Sequence, residues 1–208
     1  KQAGRMKEPC LIITPTSLLS NWRRETERFT PDLNLLILQG TERKQLFYKM
    51  LDYDVIMTTY PLLSRDEETL LEHHYHYLIL DEAQILKNPQ SKGAQTVRQI
   101  KSSHRLCLTG TPMENHLGEL WTQFDFLMPG FLGDQAAFKK NYRTPIEMFG
   151  DNAQRERLTQ RIAPFMLRRT KQQVASELPP KTEIIRSVPL LESQAALALF
   201  EVRVVERA

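Results

Sequence analysis

The chain has 208 residues, 41% hydrophobic and 25% charged, with 28 Lys and Arg against 25 Asp and Glu for a net charge of +3. This is an ordinary globular balance, long enough for one sizeable core with an appendage, and the charge by itself announces no nucleic-acid binder. No apolar run approaches the roughly 18 residues needed to cross a bilayer, and Cys10 and Cys107, each inside an apolar run, suit small buried hydrophobes in a reducing setting better than a disulfide or a metal site.

The chain opens at Lys1 with no initiator Met and no signal-like apolar stretch, as expected of a piece excised from something longer. Residues 10–14 form a short apolar run stopped by Pro15, which predicts a buried strand. Thr16 or Ser17 can then cap a helix through Leu18, Leu19, Trp22 and Thr26 to about Phe29. A strand is predicted over 33–38, a helix over 41–51 with Leu46, Phe47, Met50 and Leu51 at helical spacing, and a strand over 54–59. A polar helix over 61–73 and a strand over 77–80 come next, then a helix over 91–100 and a strand over 105–109. Apolar strands alternating with helices predict an α/β doubly wound sandwich, its parallel sheet covered on both faces.

Past Gly110 the pattern changes. Residues 118–162 are helical in character, broken at Pro129-Gly130, Gly133, Pro145 and Gly150. Pro179-Pro180 is the best linker signal, with a strand predicted over 182–188 and a helix over 191–207 beyond it. The expected division is a lobe over 1–128, a helical extension and hinge over 129–178, and the start of another lobe over 179–208.

Chemistry centres on residues 77–84, where Tyr77-Leu78-Ile79-Leu80 runs into Asp81-Glu82. Ligand chemistry collects beyond the carboxyl ends of parallel strands. Two acids there suit a hard divalent cation, one holding its water shell while the other polarises an attacking water. The plainer alternative is that both acids open a helix, at the positive end of its dipole. His73, His74 and His76 cluster, but lack the further ligand a zinc site needs and are expected on an exposed turn. Arg23 and Arg24 are expected on a solvated helix face.

Several stretches line up in one order: Ile12-Ile13-Thr14-Pro15-Thr16-Ser17-Leu18 before Trp22 and Glu25; Ile56-Met57-Thr58-Thr59-Tyr60; Leu80-Asp81-Glu82-Ala83-Gln84; Leu108-Thr109-Gly110-Thr111-Pro112; Glu119-Leu120-Trp121; and Leu167-Arg168-Arg169-Thr170-Lys171. Together they resemble the first RecA-like lobe of the SWI/SNF-family ATPases, DNA translocases of helicase superfamily two. The resemblance runs from about Cys10 to Lys181. It implies a RecA-like three-layer sandwich, with ATP and Mg²⁺ as cofactors of the longer protein. Asp81 matches the acid that holds Mg²⁺ through water, Glu82 the general base, and Gln84 the link from the nucleotide to the coupling strand. Thr109, Gly110 and Thr111 match the coupling motif. Pro15, Thr16 and Ser17, with Thr58, Thr59 and Tyr60, match segments touching the DNA backbone, while helix capping explains the same residue types. Arg168, Arg169 and Lys171 match a hinge motif that touches DNA or a second lobe. The partners so implied are double-stranded DNA and then DNA-bound proteins or RNA polymerase, with no membrane. The setting is the nucleoid of a bacterial cytoplasm or a eukaryotic nucleus.

One part of the pattern is missing. No Gly-Lys-Thr or Gly-Lys-Ser run occurs, and Gly4 and Lys7 are out of register for one. In the family that loop lies upstream of the Thr14-Pro15 segment, so it would precede Lys1. The 208 residues alone are therefore expected to be inactive, and their sheet to be rearranged, gapped or completed by another chain. A helicase of the same superfamily and a non-enzymatic nucleic-acid- or protein-binding module are the rivals. Glu-Leu-Trp and Leu-Arg-Arg-Thr-Lys weigh against the first, and the kept acid pair against the second.

Overall fold

The computed structural model describes residue 4, residues 6–110, residue 113 and residues 116–169. Two compact units divide the chain, Lys1–Pro164 and Phe165–Ala208. The expected linker at Pro179-Pro180 and the elements beyond it lie outside the described residues.

In the first unit, β1 (Cys10–Thr14), β2 (Leu35–Ile37), β3 (Val55–Thr59), β4 (His74–Asp81) and β5 (Lys101–Leu108) form one sheet in the order β2-β3-β1-β4-β5. Every pairing is parallel, with Ile13 opposite Thr58 and Leu80, and Asp81 opposite Leu108. The α/β sandwich is thus as expected. The five strands are contiguous, so the gap foreseen for a sheet without its phosphate-loop strand is not found among them. Among the described residues the edges of the sheet are β2 and β5.

Parallel strands are buried on both faces, and the side chains divide accordingly. Leu11, Ile13, Ile56, Leu78 and Leu80 pack on one face against Ala94 and Val97 of α3 (Lys92–Gln99), and with Phe126 of α4 (Leu117–Leu127). Ile12, Met57 and Val55 pack on the other against Leu19 and Trp22 of α1 (Leu19–Phe29). That cover leaves parts of β4 and β5 open, with Tyr77 at 38% and Leu106 at 41% exposure.

Several elements depart from their predicted form. Strand β4 extends back to His74, so His74 and His76 sit on a strand, not on an exposed turn. Tyr75 between them is fully buried, and its side of the strand draws the backbone into the sheet. Neither Thr16 nor Ser17 caps α1: they lie in a 3₁₀ turn, Thr16–Leu18, with no side-chain cap bond. The helix expected over 41–51 is a 3₁₀ run, Glu42–Asp52. Phe47 and Met50 lie three apart, a spacing that serves either winding, so periodicity does not separate them. The segment expected as one helix over 61–73 is a 3₁₀ turn, Tyr60–Leu62, and a short α2, Glu67–Glu72. Asp66 lies between them and is buried: its carboxylate accepts two bonds of 2.7 Å from the Arg43 guanidinium, which also donates to the Gly40 carbonyl at 2.5 Å.

Beyond the sheet, α4 belongs to two cores. Its Phe126 faces the sheet, while Leu120, Trp121 and Phe124 join Leu132, Phe138, Leu158 and Ile162 in a second cluster. Arg105 of β5 ties the layers together by donating to the carbonyls of Phe126, Arg98 and Ile100, at the ends of α4 and α3. After α4 come α5 (Gln135–Phe138), a π turn (Lys139–Arg143), α6 (Thr144–Phe149) and α7 (Asn152–Ile162). Asp134 and Asp151 cap α5 and α7 through bonds of 2.7 and 3.0 Å, and Gly150, at φ 62°, ends α6.

Glu147 joins α6 to α4, accepting the Leu117 amide at 2.7 Å and the Arg143 guanidinium at 2.9 Å. Burial alone would raise this carboxyl, but those two donors outweigh it and hold it below its ordinary value. A depressed carboxyl contributes stability that is present above its unfolded pKa and fades as pH falls through the folded one. Glu147 is exposed, so solvent screens these contacts, and Glu147→Gln should cost no more than about 0.5 kcal/mol near neutral pH. Denaturant melts of the two proteins should converge below the ordinary carboxylate range.

Candidate active site

The C-terminal ends of β1, β3, β4 and β5 bring Thr14, Thr59, Asp81 and Leu108 to one edge of the sheet. The strand-then-acid pattern therefore places Asp81 where parallel sheets collect ligands. The chain then turns sharply: Glu82 has φ 51° and ψ 51°, the left-handed region that a residue with a Cβ seldom occupies. Such a conformation costs on the order of 1–3 kcal/mol, and it keeps the two acids from running on into an α-helix. The backbone passes instead into a 3₁₀ turn, Ala83–Leu86. The acids do not open an α-helix.

Each carboxylate is held by named donors. Asp81 Oδ2 accepts from Thr14 Oγ1 at 2.9 Å and from Trp22 Nε1 at 2.7 Å, and Oδ1 accepts the Glu82 amide at 3.1 Å. The Asp81 carbonyl accepts the Tyr60 hydroxyl at 2.7 Å. Burial, with the nearby Cys107, Asp81 and Glu82, pushes that phenol far above its ordinary range, so it remains a donor at any physiological pH. Burial also pushes the Cys107 thiol up to about 12, which leaves it an inert hydrophobe.

From Glu82 a chain of bonds leads across to β5. Gln84 Nε2 donates to Glu82 Oε2 at 2.7 Å, and Gln84 Oε1 accepts from Thr109 Oγ1 at 2.6 Å. A primary amide suits this position because one end donates and the other accepts. Thr109 thus reaches the acid pair through Gln84. Gly110 is exposed and comes directly after it, and Thr111 lies outside the described residues.

The other expected site residues separate by exposure. Thr16 and Ser17 are exposed and Pro15 is half-buried, at the same sheet edge as Thr14. Thr58 and Thr59 are buried at 0% and 2%, so their side chains face protein. Tyr60 is turned to the Asp81 carbonyl. Arg23 and Arg24 are both exposed on α1, as expected of a solvated helix face. Arg168 and Arg169 are exposed within the second unit, and Lys171 lies outside the described residues. The hold of Thr14 and Trp22 on Asp81 has no counterpart in the sequence reading. Both stand in quoted motifs, but only tertiary structure shows that a helix after β1 returns its indole to the end of β4.

The SNF2-related domain family model matches residues 1–200. The chain belongs to the SNF2 family. A candidate ATP-dependent helicase/translocase of Bacillus subtilis, YwqA, is 43% identical over 95% of this chain and 22% of its own length. The TATA-binding protein-associated factor MOT1 of Saccharomyces cerevisiae is 41% identical over 83% of this chain and 10% of its own. The SNF2-family chain thus spans about a fifth or less of these relatives. Among solved structures, the Sulfolobus solfataricus SWI2/SNF2 ATPase core in complex with dsDNA matches with a TM-score of 0.77 and 42% identity, over 84% of this chain and 36% of that one. No helix among the described residues is long and apolar enough to cross a membrane.

Proposed function

We propose that this SNF2-family chain is the acid-pair half of an ATP-hydrolysing, double-stranded-DNA-translocating motor. The observation that carries the proposal is the bridge Glu82–Gln84–Thr109, which joins a candidate base to the strand end beside it through two short hydrogen bonds. Glu82 orients and deprotonates the attacking water. Asp81 would hold Mg²⁺, which would supply charge neutralisation on the phosphates when bound. The donor set fits that ion: two adjacent carboxylates present hard oxygens, and among the described residues Oδ1 of Asp81 takes only the Glu82 amide. The phosphates themselves are cradled elsewhere in the longer protein, since residues 1–208 hold no Gly-Lys-Thr or Gly-Lys-Ser loop.

Gln84, Thr109, Gly110 and Thr111 relay the state of the base to the DNA side. Exposed Thr16 and Ser17, with Pro15, contact one strand's phosphates. Thr58, Thr59 and Tyr60 act there through backbone groups, because their side chains are turned inward. Arg168, Arg169 and Lys171 serve the hinge, and by function the sequence divides into a lobe over 1–128, an extension over 129–178 and part of another lobe over 179–208. DNA-bound proteins are the cargo that such a motor would displace.

The test is ATP hydrolysis by the full-length protein with and without double-stranded DNA. Hydrolysis should be magnesium-dependent and raised by DNA of any sequence, and DNA binding should weaken steeply with salt. A full-length protein that binds DNA yet hydrolyses no ATP would instead establish a non-enzymatic binding module.

A further inference from the structure

The geometry points to Trp22 as a positioning residue for the magnesium-bearing carboxylate, an inference that rests on the ATPase reading of the acid pair. Asp81 Oδ2 receives two donors from outside its own strand, Trp22 Nε1 at 2.7 Å and Thr14 Oγ1 at 2.9 Å. Thr14 is fully buried beside Asp81 at the end of β1, and Trp22 reaches in from the first turn of α1. Rotation about the last torsion of an aspartate is soft, so an unheld carboxylate samples a broad range. Two donors on one oxygen remove that freedom. They commit Oδ2 to the protein and leave Oδ1 as the oxygen that can accept from metal-bound water.

The indole is suited to this work because its N–H can only donate. A bond from it to a carboxylate is charge-assisted, shorter and stronger than a neutral one, and the 2.7 Å separation is in that range. Packing alone does not explain the residue. Trp22 does lie against the Ile12, Leu19 and Met57 cluster, but a phenyl ring would fill much of that space without reaching Asp81. Thr14 differs from Val by one hydroxyl, and that hydroxyl goes to the same oxygen.

The experiment compares full-length protein with its Trp22→Phe and Thr14→Val variants, reading ATP hydrolysis against magnesium concentration. Partners that orient metal-binding groups commonly govern metal affinity by 10–100-fold, so Trp22→Phe should raise the half-saturating magnesium concentration about tenfold. Thr14→Val should shift it in the same direction, and in both the shift should exceed the fall in rate at saturating magnesium. Independently of turnover, 5-fluorotryptophan labelling gives Trp22 a ¹⁹F resonance, the one absent from Trp22→Phe. Asp81→Asn should displace that resonance in nucleotide-free protein. Unchanged magnesium dependence in both variants, or a Trp22 resonance indifferent to Asp81→Asn, would overturn the inference. Should Trp22→Phe fail to fold, the magnesium dependence of Thr14→Val decides alone. If the unsubstituted protein hydrolyses no ATP, the acid-pair reading falls, and the inference falls with it.

Discussion

Glu82→Gln is expected to reduce DNA-stimulated ATP hydrolysis by the full-length protein about 10²–10⁴-fold, the usual contribution of a positioned acid or base. The substitution keeps size and one carbonyl oxygen, and removes the charge that takes the proton. The Gln84 amide can still donate to that oxygen, so the bridge to Thr109 survives while the base does not. DNA affinity should stay within about twofold, because phosphate contacts depend on cationic groups, hydroxyls and backbone amides elsewhere. A variant that turns over at the normal rate would remove Glu82 from the chemistry. One that loses DNA binding as well would place Glu82 in the fold's integrity. Circular dichroism and gel filtration test that second outcome directly.

Arg43→Ala should be the most destabilising single change outside the apolar core, costing about 3–5 kcal/mol. Arg43 and Asp66 have side-chain exposures of 8% and 1%, and their bidentate bonds are both 2.7 Å. The Asp66 hydrogen bond outweighs burial and raises the Arg43 guanidinium above its ordinary value, so the charge is retained throughout the working range. Removing Arg43 strands a carboxylate that has almost no water. The penalty is that stranded charge, not the net value of the pair, so replacing Arg43 and Asp66 together with apolar residues of similar volume should recover much of the loss. Denaturant titrations of the single and double variants measure both quantities. A single variant as stable as the unsubstituted chain would show that Asp66 finds another donor or water.

These two sites differ in how far the sequence announces them. The acid pair is visible because a buried parallel strand is a short apolar run, and the abrupt change to charge marks its carboxyl end. Arg43–Asp66 has no such mark: the two residues stand 23 apart, on segments whose polar composition reads as surface. The 3₁₀ run Glu42–Asp52 is hidden for a related reason, since tight and normal windings share the three-residue contact of Phe47 with Met50. The backward reach of β4 through His74 is hidden because fully buried Tyr75 alternates with half-exposed His76, diluting the apolar signal. For the helical extension the break points are legible, Gly150 at the end of α6 among them.

The sequence by itself determined the α/β class, the number and order of the five sheet strands along the chain, the position of the acids at a strand end and the family. All of these are local: they depend on apolar runs, turn residues and motif spacing along one stretch of chain. Only the tertiary structure decided strand neighbours, the left-handed turn at Glu82, the bridge through Gln84 to Thr109, and the return of Trp22 and Thr14 onto one oxygen of Asp81. Those features join residues 25 to 67 positions apart or depend on such contacts for their conformation. A hydrogen bond is satisfied by proximity and direction alone, and neither is written in composition or period.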